Sequence, residues 1–217
     1  MVVVRQKEEG YNLFMARYTG PRARVCRRLE FPVFESPKFS SPRKNYPPGE
    51  HGNSRRRKLS NYGIQLREKQ RIKYMYGLLE KQFRNYYKKA QSKTGPTGHN
   101  LLIMLESRLD NTVFRLGLAP TRRAARQLVS HKHFLVNNRC VNIPSFQLKP
   151  DDIINVRDKS KKMDLFQDSL RKVQGDNPMP WLEIDKAQLK GKFISIPDRE
   201  EITEPLNEQL IVELYSK

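Results

Sequence analysis

The sequence predicts an α+β protein: a mainly helical lobe, a module of helices packed on a small antiparallel sheet, and an extended basic N-terminal arm. Three observations carry this. Apolar residues recur at steps of three and four over residues 62–91 and 101–116, the period of a helix with one buried face. Between residues 134 and 156 that period gives way to short β-rich runs separated by Asn137-Asn138 and Pro150-Asp151-Asp152. Ahead of residue 60 there is no period, and arginine, proline, serine and glycine dominate.

Taken in order, residues 1–14 are an extension without pattern, and residues 15–52 form the arm and a turn element. Arg17, Tyr18, Arg22, Arg24, Arg27, Arg28 and Lys44 give the arm its charge. Residues 31–44 hold too little apolar surface to fold alone, so they are expected to order only against RNA or a neighbour. Tyr46-Pro47-Pro48-Gly49-Glu50-His51-Gly52 is a stiff turn in which proline sets φ and glycine permits close backbone approach. His51 has no carboxylate–nucleophile arrangement near it in sequence, so a structural or RNA-contacting role is expected. Arg55, Arg56, Arg57 and Lys58 follow at once and read as a phosphate clamp.

Residues 53–98 are the helical lobe. Ser60 caps a long helix over 62–91, whose stripe Ile72, Tyr76, Leu79, Phe83, Tyr86 and Ala90 faces the core. Lys69, Arg71, Lys73, Arg84, Lys88 and Lys89 occupy much of the rest, with Lys69, Arg71 and Arg84 as candidate RNA contacts. Tyr74, Tyr86 and Tyr87 belong mostly to the core at this spacing, with base stacking as the lesser reading. Residues 92–98, SKTGPTG, are a linker in which Thr97 caps the next helix.

Residues 99–197 are the inserted module, with its core at 108–158. A helix over 101–116 places Leu102, Leu105, Leu109, Val113 and Leu116 inward and ends at Gly117, a left-handed cap. Arg108 and Arg115 are its candidate RNA contacts. Thr121 caps a second helix whose Arg122 and Arg126 share one face with Arg123 beside them, while Ala125, Leu128 and Val129 form the other. Gln127, His131, Lys132 and Arg139 extend the candidate RNA surface. Guanidinium forks match phosphate oxygens in shape as well as charge. Strands over 134–136 and 141–143 flank a type I′ turn at Asn137-Asn138, with Cys140 as a small core residue, and a further strand spans 153–156. A helix over 160–173 and strands over 181–184 and 193–196 follow. The acidic stretch 198–208 faces proteins or the basic lobe rather than RNA.

The bulk numbers name the partner class. The 217 residues include 42 Lys+Arg against 23 Asp+Glu, a formal net charge of +19. Residues 1–100 carry net +16, residues 101–150 net +6, and residues 151–217 net −3. A polyanion is implied, because phosphate backbones bind basic surfaces largely by releasing counterions. No run reaches the ~20 apolar residues of a membrane span, so a membrane partner is not expected. Double-stranded DNA fits poorly, since no helix presents base-reading Asn or Gln beyond the arginine-rich one. Two cysteines, Cys26 and Cys140, are too few for a disulfide framework and fit a reducing setting. Neither a metal nor a cofactor is expected, nor an enzymatic activity.

The stretch RLDNTVFRLGLAPTRRAARQLVSHK followed by LVNNRCVNI resembles the module of the small-subunit ribosomal protein four family, which also occurs in RNA-modifying and tRNA-charging enzymes. The resemblance extends through MARYTGP at residues 15–21, PPGEHG (PPGQHG in the family), LSNYGIQLREKQRIKYMYGLLEKQFRNYY and the C-terminal NEQLIVELYSK. Met15 is therefore a candidate initiator. Asn138 stands where the family often has glycine. Some members hold zinc with four cysteines in the arm; here Cys26 stands alone at those positions and Ala23 replaces its nearest partner.

The resemblance implies that residues 198–217 fold back onto the first lobe and complete it. It also implies direct binding to small-subunit ribosomal RNA at a multi-helix junction, early in assembly. The implied setting is a ribosome, cytoplasmic or organellar. Messenger RNA would pass Arg55 to Lys58 where it enters, and the interface with protein five would influence decoding accuracy. The alternative is a stand-alone RNA-binding or RNA-modification factor using the same module. A separate catalytic domain would be needed for the enzyme, and the matching stretches leave no room for one.

Overall fold

A computed structural model describes residues 18–40, 44–54, 58–172 and 179–216, and every structural statement below concerns those residues. The chain opens with α1, Arg22–Leu29, and a short α2, Pro37–Ser40. The arm is thus helical rather than extended over 22–29, as its Arg, Ala and Leu allow. Residues 31–40 also depart from the expectation that they order only on a partner. Cys26, Leu29, Val33 and Phe34 are buried together, and Tyr18, Phe39 and Tyr74 pack against them. A few apolar side chains suffice because Tyr74, from the next helix, supplies the far wall.

The long helix expected over 62–91 is two helices, α3 at Asn61–Met75 and α4 at Glu80–Gln91. Ser60 caps α3 as expected, its hydroxyl accepting from the Gly63 N–H at 3.2 Å. The break is a Schellman closure: Gly77 takes φ 62°, its N–H reaches the Tyr74 carbonyl, and Leu78 N–H reaches that of Lys73. The helix expected over 101–116 also divides, into α5, Thr97–Glu106, and α6, Leu109–Arg115. Here the cause is tertiary. Arg108 is extended, and backbone groups of Ser107, Leu109 and Asp110 bond to Leu148, Phe146 and Pro144 instead of continuing the helix. Thr97 does not cap α5; Pro96 holds that position without a side-chain bond. Gly117 does end α6, with φ 75°.

Helix α7, Arg122–Ser130, starts as expected, with Thr121 Oγ1 accepting from the Ala124 N–H at 3.1 Å. Ala125, Leu128 and Val129 are its buried face. Strand β1, Phe134–Val136, pairs antiparallel with β2, Arg139–Cys140, through Asn137 at φ 47° and Asn138 at φ 64°. Two positive φ values in succession are the type I′ turn. The second strand is displaced from 141–143, and Cys140 is exposed rather than core. Strand β3, Ile153–Val156, lies on the other side of β1.

After a 3₁₀ turn at Asp158–Ser160 comes α8, Asp164–Lys172, later than expected, with Phe166 buried and Met163 exposed. Strands β4, Leu182–Asp185, and β5, Lys190–Phe193, complete an antiparallel sheet in the order β2-β1-β3-β5-β4. The last strand precedes its expected place, leaving Ile194 and Ile196 exposed. Helix α9, Glu208–Tyr215, packs on α3 and α5; Gln65 of α3 donates to Glu213 at 2.9 Å, and Tyr215 donates to Glu80 at the start of α4 at 2.8 Å. One continuous apolar core joins the helices to the sheet, with Phe83, Leu105, Phe134, Phe166 and Phe193 fully buried.

Candidate RNA interface

Several of the expected RNA-binding cations lie inside the molecule, which corrects their role. Arg108 is 2 % exposed; its guanidinium forks onto Asp110 at 3.0 and 2.6 Å and donates to the Tyr86 hydroxyl at 2.7 Å. Lys69 is buried and paired with Glu80 at 2.8 Å. Arg115 pairs with Glu106 at 2.8 Å and with Glu204. Arg71 is half-buried, its guanidinium 3.6 Å from the Phe31 ring centroid and paired with Glu68 at 3.4 Å. A guanidinium enclosed with its own carboxylate cannot reach a phosphate, and these side chains act as internal fastenings.

Arg122 belongs with them. It pairs with Glu35 at 2.7 Å and Glu204 at 3.2 Å, donates to Asn111 at 2.8 Å, and lies over the rings of Tyr76 and Phe114. Glu106, 1 % exposed, accepts from Tyr76, Asn111 and Arg115 in the same cluster. Burial alone would raise its carboxyl; the charge and hydrogen bonds of Arg115, with help from Arg122 and Tyr76, more than offset that and hold it below the usual carboxylate range. The cluster joins the arm through Glu35, the helical lobe through Tyr76, the module through Glu106, Asn111, Arg115 and Arg122, and the C-terminal segment through Glu204.

Most of the other candidate RNA contacts among the described residues lie on or beside two surfaces. On the first, Arg24, Arg28 and Lys44 are exposed around a cleft of about 480 Å³ that Arg27 and Tyr46 also line. Arg27 donates to the carbonyls of Tyr46 at 2.8 Å and Pro47 at 3.2 Å, and its guanidinium stands 4.8 Å from the Tyr46 ring centroid. This pins the proline turn to α1. Gly52 is required there, since a Cβ would stand 2.2 Å from the Pro47 carbonyl oxygen. Arg22 lies over Phe39 beside this surface, and His51 and Lys58 are exposed beyond the turn.

The second surface is the outer face of α7. A groove of about 310 Å³ lies beside it, lined by Tyr18 and Tyr74 as well as by Arg123, Arg126, Gln127 and His131. A wider cleft of about 590 Å³ opens on the far side of Arg126, toward Lys89, Asn85, Asn142 and Ser145. Arg126 donates to the Gly77 carbonyl at 2.9 Å, which ties α7 to the end of α3. Lys132 and Arg139 are exposed at the foot of α7, and Arg84 on the outside of α4. Such a mixture of cations, amides and hydroxyls suits phosphate and 2′-hydroxyl contacts.

Asn85, Lys89, Asn142 and Ser145 were not anticipated, because they converge only when α4 meets the loop after β2. The carboxylates of Glu35 and Glu204 were missed for the same reason. Thr121 serves as a cap. Arg17 and Arg55, Arg56 and Arg57 lie outside the described residues. Cys26 is buried in the arm's apolar cluster, where burial pushes its thiol up, so it packs rather than reacts.

A basic α+β scaffold carrying a helix–hairpin module, with several of its arginines tied to enclosed carboxylates and exposed cations around the α1 cleft and at the foot of α7, is a nucleic-acid-binding protein of the RNA-associated class. Family comparison resolves the class. The Ribosomal protein S4/S9 N-terminal domain matches residues 17–106 and the S4 domain residues 107–154, meeting where α5 gives way to α6. The chain is 56% identical over 203 residues to Small ribosomal subunit protein uS4 of Parabacteroides distasonis, covering 94% of this chain and 100% of that relative. The same protein of Porphyromonas gingivalis is 55% identical and that of Salinibacter ruber 53% identical, over the same shares of both chains. The chain belongs to the small ribosomal subunit protein uS4 family.

Proposed function

We infer that this chain is a structural, non-catalytic constituent of the small ribosomal subunit that binds small-subunit ribosomal RNA directly. The observation that carries this is the division of its charge. Enclosed pairs fasten the lobes together, while Arg24, Arg28, Lys44 and Lys132 remain exposed. Two cationic surfaces held at a fixed angle can clamp RNA helices that repel one another. A multi-helix junction is the RNA form that needs such a clamp, and a protein that fixes it acts early in assembly. Fractionating a lysate on a density gradient tests the reading. The protein should co-migrate with the small subunit, and its recovery only in soluble fractions would reject it.

Two finer assignments rest on the family resemblance and on position. Arg55, Arg56, Arg57 and Lys58 would contact messenger RNA where it enters, and Lys58 is exposed. Replacing all four by Ala should slow translation of structured messages in a reconstituted extract; an extract indifferent to the change rejects that role. The second is contact with protein five, for which the exposed apolar side chains Leu59, Tyr62 and Ile64 on the start of α3 offer a surface. Tyr62→Glu, which places a charge on this apolar face, should weaken subunit association of protein five, and unchanged association excludes this face.

A further inference from the structure

We propose that the cleft lined by α4 and the loop after β2 reads the ribose edge of the bound RNA, taking 2′-hydroxyls of a helical minor groove on Asn85, Asn142 and Ser145. The proposal rests on the RNA-binding reading above and deepens it, from attraction to phosphate to discrimination of ribose from deoxyribose.

The cleft, of about 590 Å³, is fastened by bonds from several elements. Helix α4 lines it with Gln82, Asn85, Tyr86 and Lys89, which share one helix face because they recur at steps of three and four. The loop lines it with residues 142–145. Backbone bonds hold that loop in place. Leu109 N–H donates to the Phe146 carbonyl at 2.9 Å, Asp110 N–H to that of Pro144 at 3.2 Å, and Phe146 N–H to that of Ile143 at 3.0 Å. Arg108 joins α4 to the same arrangement, donating to the Tyr86 hydroxyl at 2.7 Å while it forks onto Asp110. The polar groups are therefore carried by backbone that is already set before a ligand arrives.

The chemistry of the lining selects the occupant. None of the residues lining the cleft is acidic, and both of its arginines are engaged within the protein, Arg108 by Asp110 at 2.6 Å and Arg126 by the Gly77 carbonyl at 2.9 Å. Exposed Lys89 can meet a flanking phosphate. The remaining accessible polar groups are neutral. Asn85, Asn142 and Ser145 are exposed, and each of these side chains both donates and accepts. Gln82 adds an amide whose oxygen is enclosed without a hydrogen-bond partner among the described residues, an acceptor that gains by turning toward an incoming donor. A 2′-hydroxyl is likewise donor and acceptor, and the wide, shallow minor groove of A-form RNA displays these hydroxyls beside the base edges. A bare phosphate only accepts, so it would leave the amide oxygens unmatched; the α1 cleft, with Arg24, Arg28 and Lys44 exposed, suits it better. An apolar peptide would find Ile143 exposed but amides around it. A hard divalent cation would find no carboxylate in the lining.

The full chain and a small-subunit ribosomal RNA transcript carrying scattered 2′-deoxy substitutions test it. Deoxy substitution at a few neighbouring paired nucleotides should weaken binding of the parent protein. With Asn85→Ala and Asn142→Ala combined, the same substitutions should lose their effect. Affinity for the all-ribose transcript should then fall roughly 10-fold, in the range of a pair of neutral hydrogen bonds, at an unchanged salt slope. A double variant that keeps the parent's interference pattern, or differs from the parent in salt slope alone, would overturn the proposal. So would a parent that binds the RNA but is indifferent to every deoxy substitution. Should the double variant melt below the parent, acetylation footprinting of the unaltered protein decides. The all-ribose transcript should shield Lys89, and the transcript deoxy-substituted at the interfering positions should shield it less; equal labelling of Lys89 with and without RNA overturns the proposal. Loss of a neighbouring ribosomal protein from subunits carrying the double variant, with the interference pattern kept, would assign the cleft to a protein contact and overturn it too. Absence of any RNA binding by the unaltered protein would instead strike the functional reading itself.

Discussion

At the scale of the residue, the central distinction is between arginines that hold the protein together and arginines that face outward. Arg28 and Arg122 both read in the sequence as phosphate ligands. Only the fold separates them, because the Glu35 and Glu204 that engage Arg122 come from opposite ends of the chain. Local pattern shows which residues are charged, not which will find a carboxylate. Arg122→Ala should therefore cost about 3 kcal/mol of stability, the low end for breaking an enclosed pair, since Glu35 keeps some contact with water. Exposed Arg28→Ala should instead leave the denaturation midpoint nearly unchanged and reduce the salt dependence of RNA binding by about one unit. Urea melts and binding isotherms on the two variants would separate the roles, and equal effects would refute the division. Glu106 adds a pH dependence. Its carboxyl is held below its unfolded value, so its contribution is fully present above that value and is lost as pH falls through the folded one. Melting temperature should drop on acidification below the ordinary glutamate range, and less so in Glu106→Gln, which begins lower.

At the scale of the element, starts were more legible than breaks. Ser60 and Thr121 were readable as caps because the capping bond is local, and the Asn137-Asn138 turn because two positive φ values favour those residues. The division between α5 and α6 was not readable. The apolar stripe runs through it without a change of phase, and its cause is backbone pairing with residues 144–148. Gly77 was visible, but a stripe continuous from Ile72 to Ala90 hid its meaning. The hairpin offers a sharper test of how the turn is held. Asn137 donates to Asp152 at 2.8 Å and accepts from the Ile153 N–H at 2.9 Å, so it does more than tolerate its φ. Asn137→Gly should cost about 1–2 kcal/mol for the two lost bonds. At Asn138, relief of left-handed strain opposes the entropy glycine loses, and Asn138→Gly should be neutral within about 0.5 kcal/mol. Thermal melts giving equal losses at both positions would contradict this account.

At the scale of the whole molecule, the uneven charge along the chain becomes a division in space. The sequence already placed the positive excess in residues 1–150, and hence the partner as a polyanion. It could not show that a buried cluster would bind arm, lobe, module and C-terminal segment at one point through Glu35, Glu106, Arg115, Arg122 and Glu204. That cluster fixes the relation between the α1 cleft and the outer face of α7. The most direct measurement is the affinity of the full chain for a small-subunit ribosomal RNA transcript across a salt series, repeated with Arg24, Arg28 and Lys44 replaced by Ala. The parent should bind at moderate salt with a steep inverse dependence, and the variant's log–log slope should be shallower by about 2–3 units. A variant matching the parent in affinity and slope, or a parent that binds no such RNA, would contradict the account.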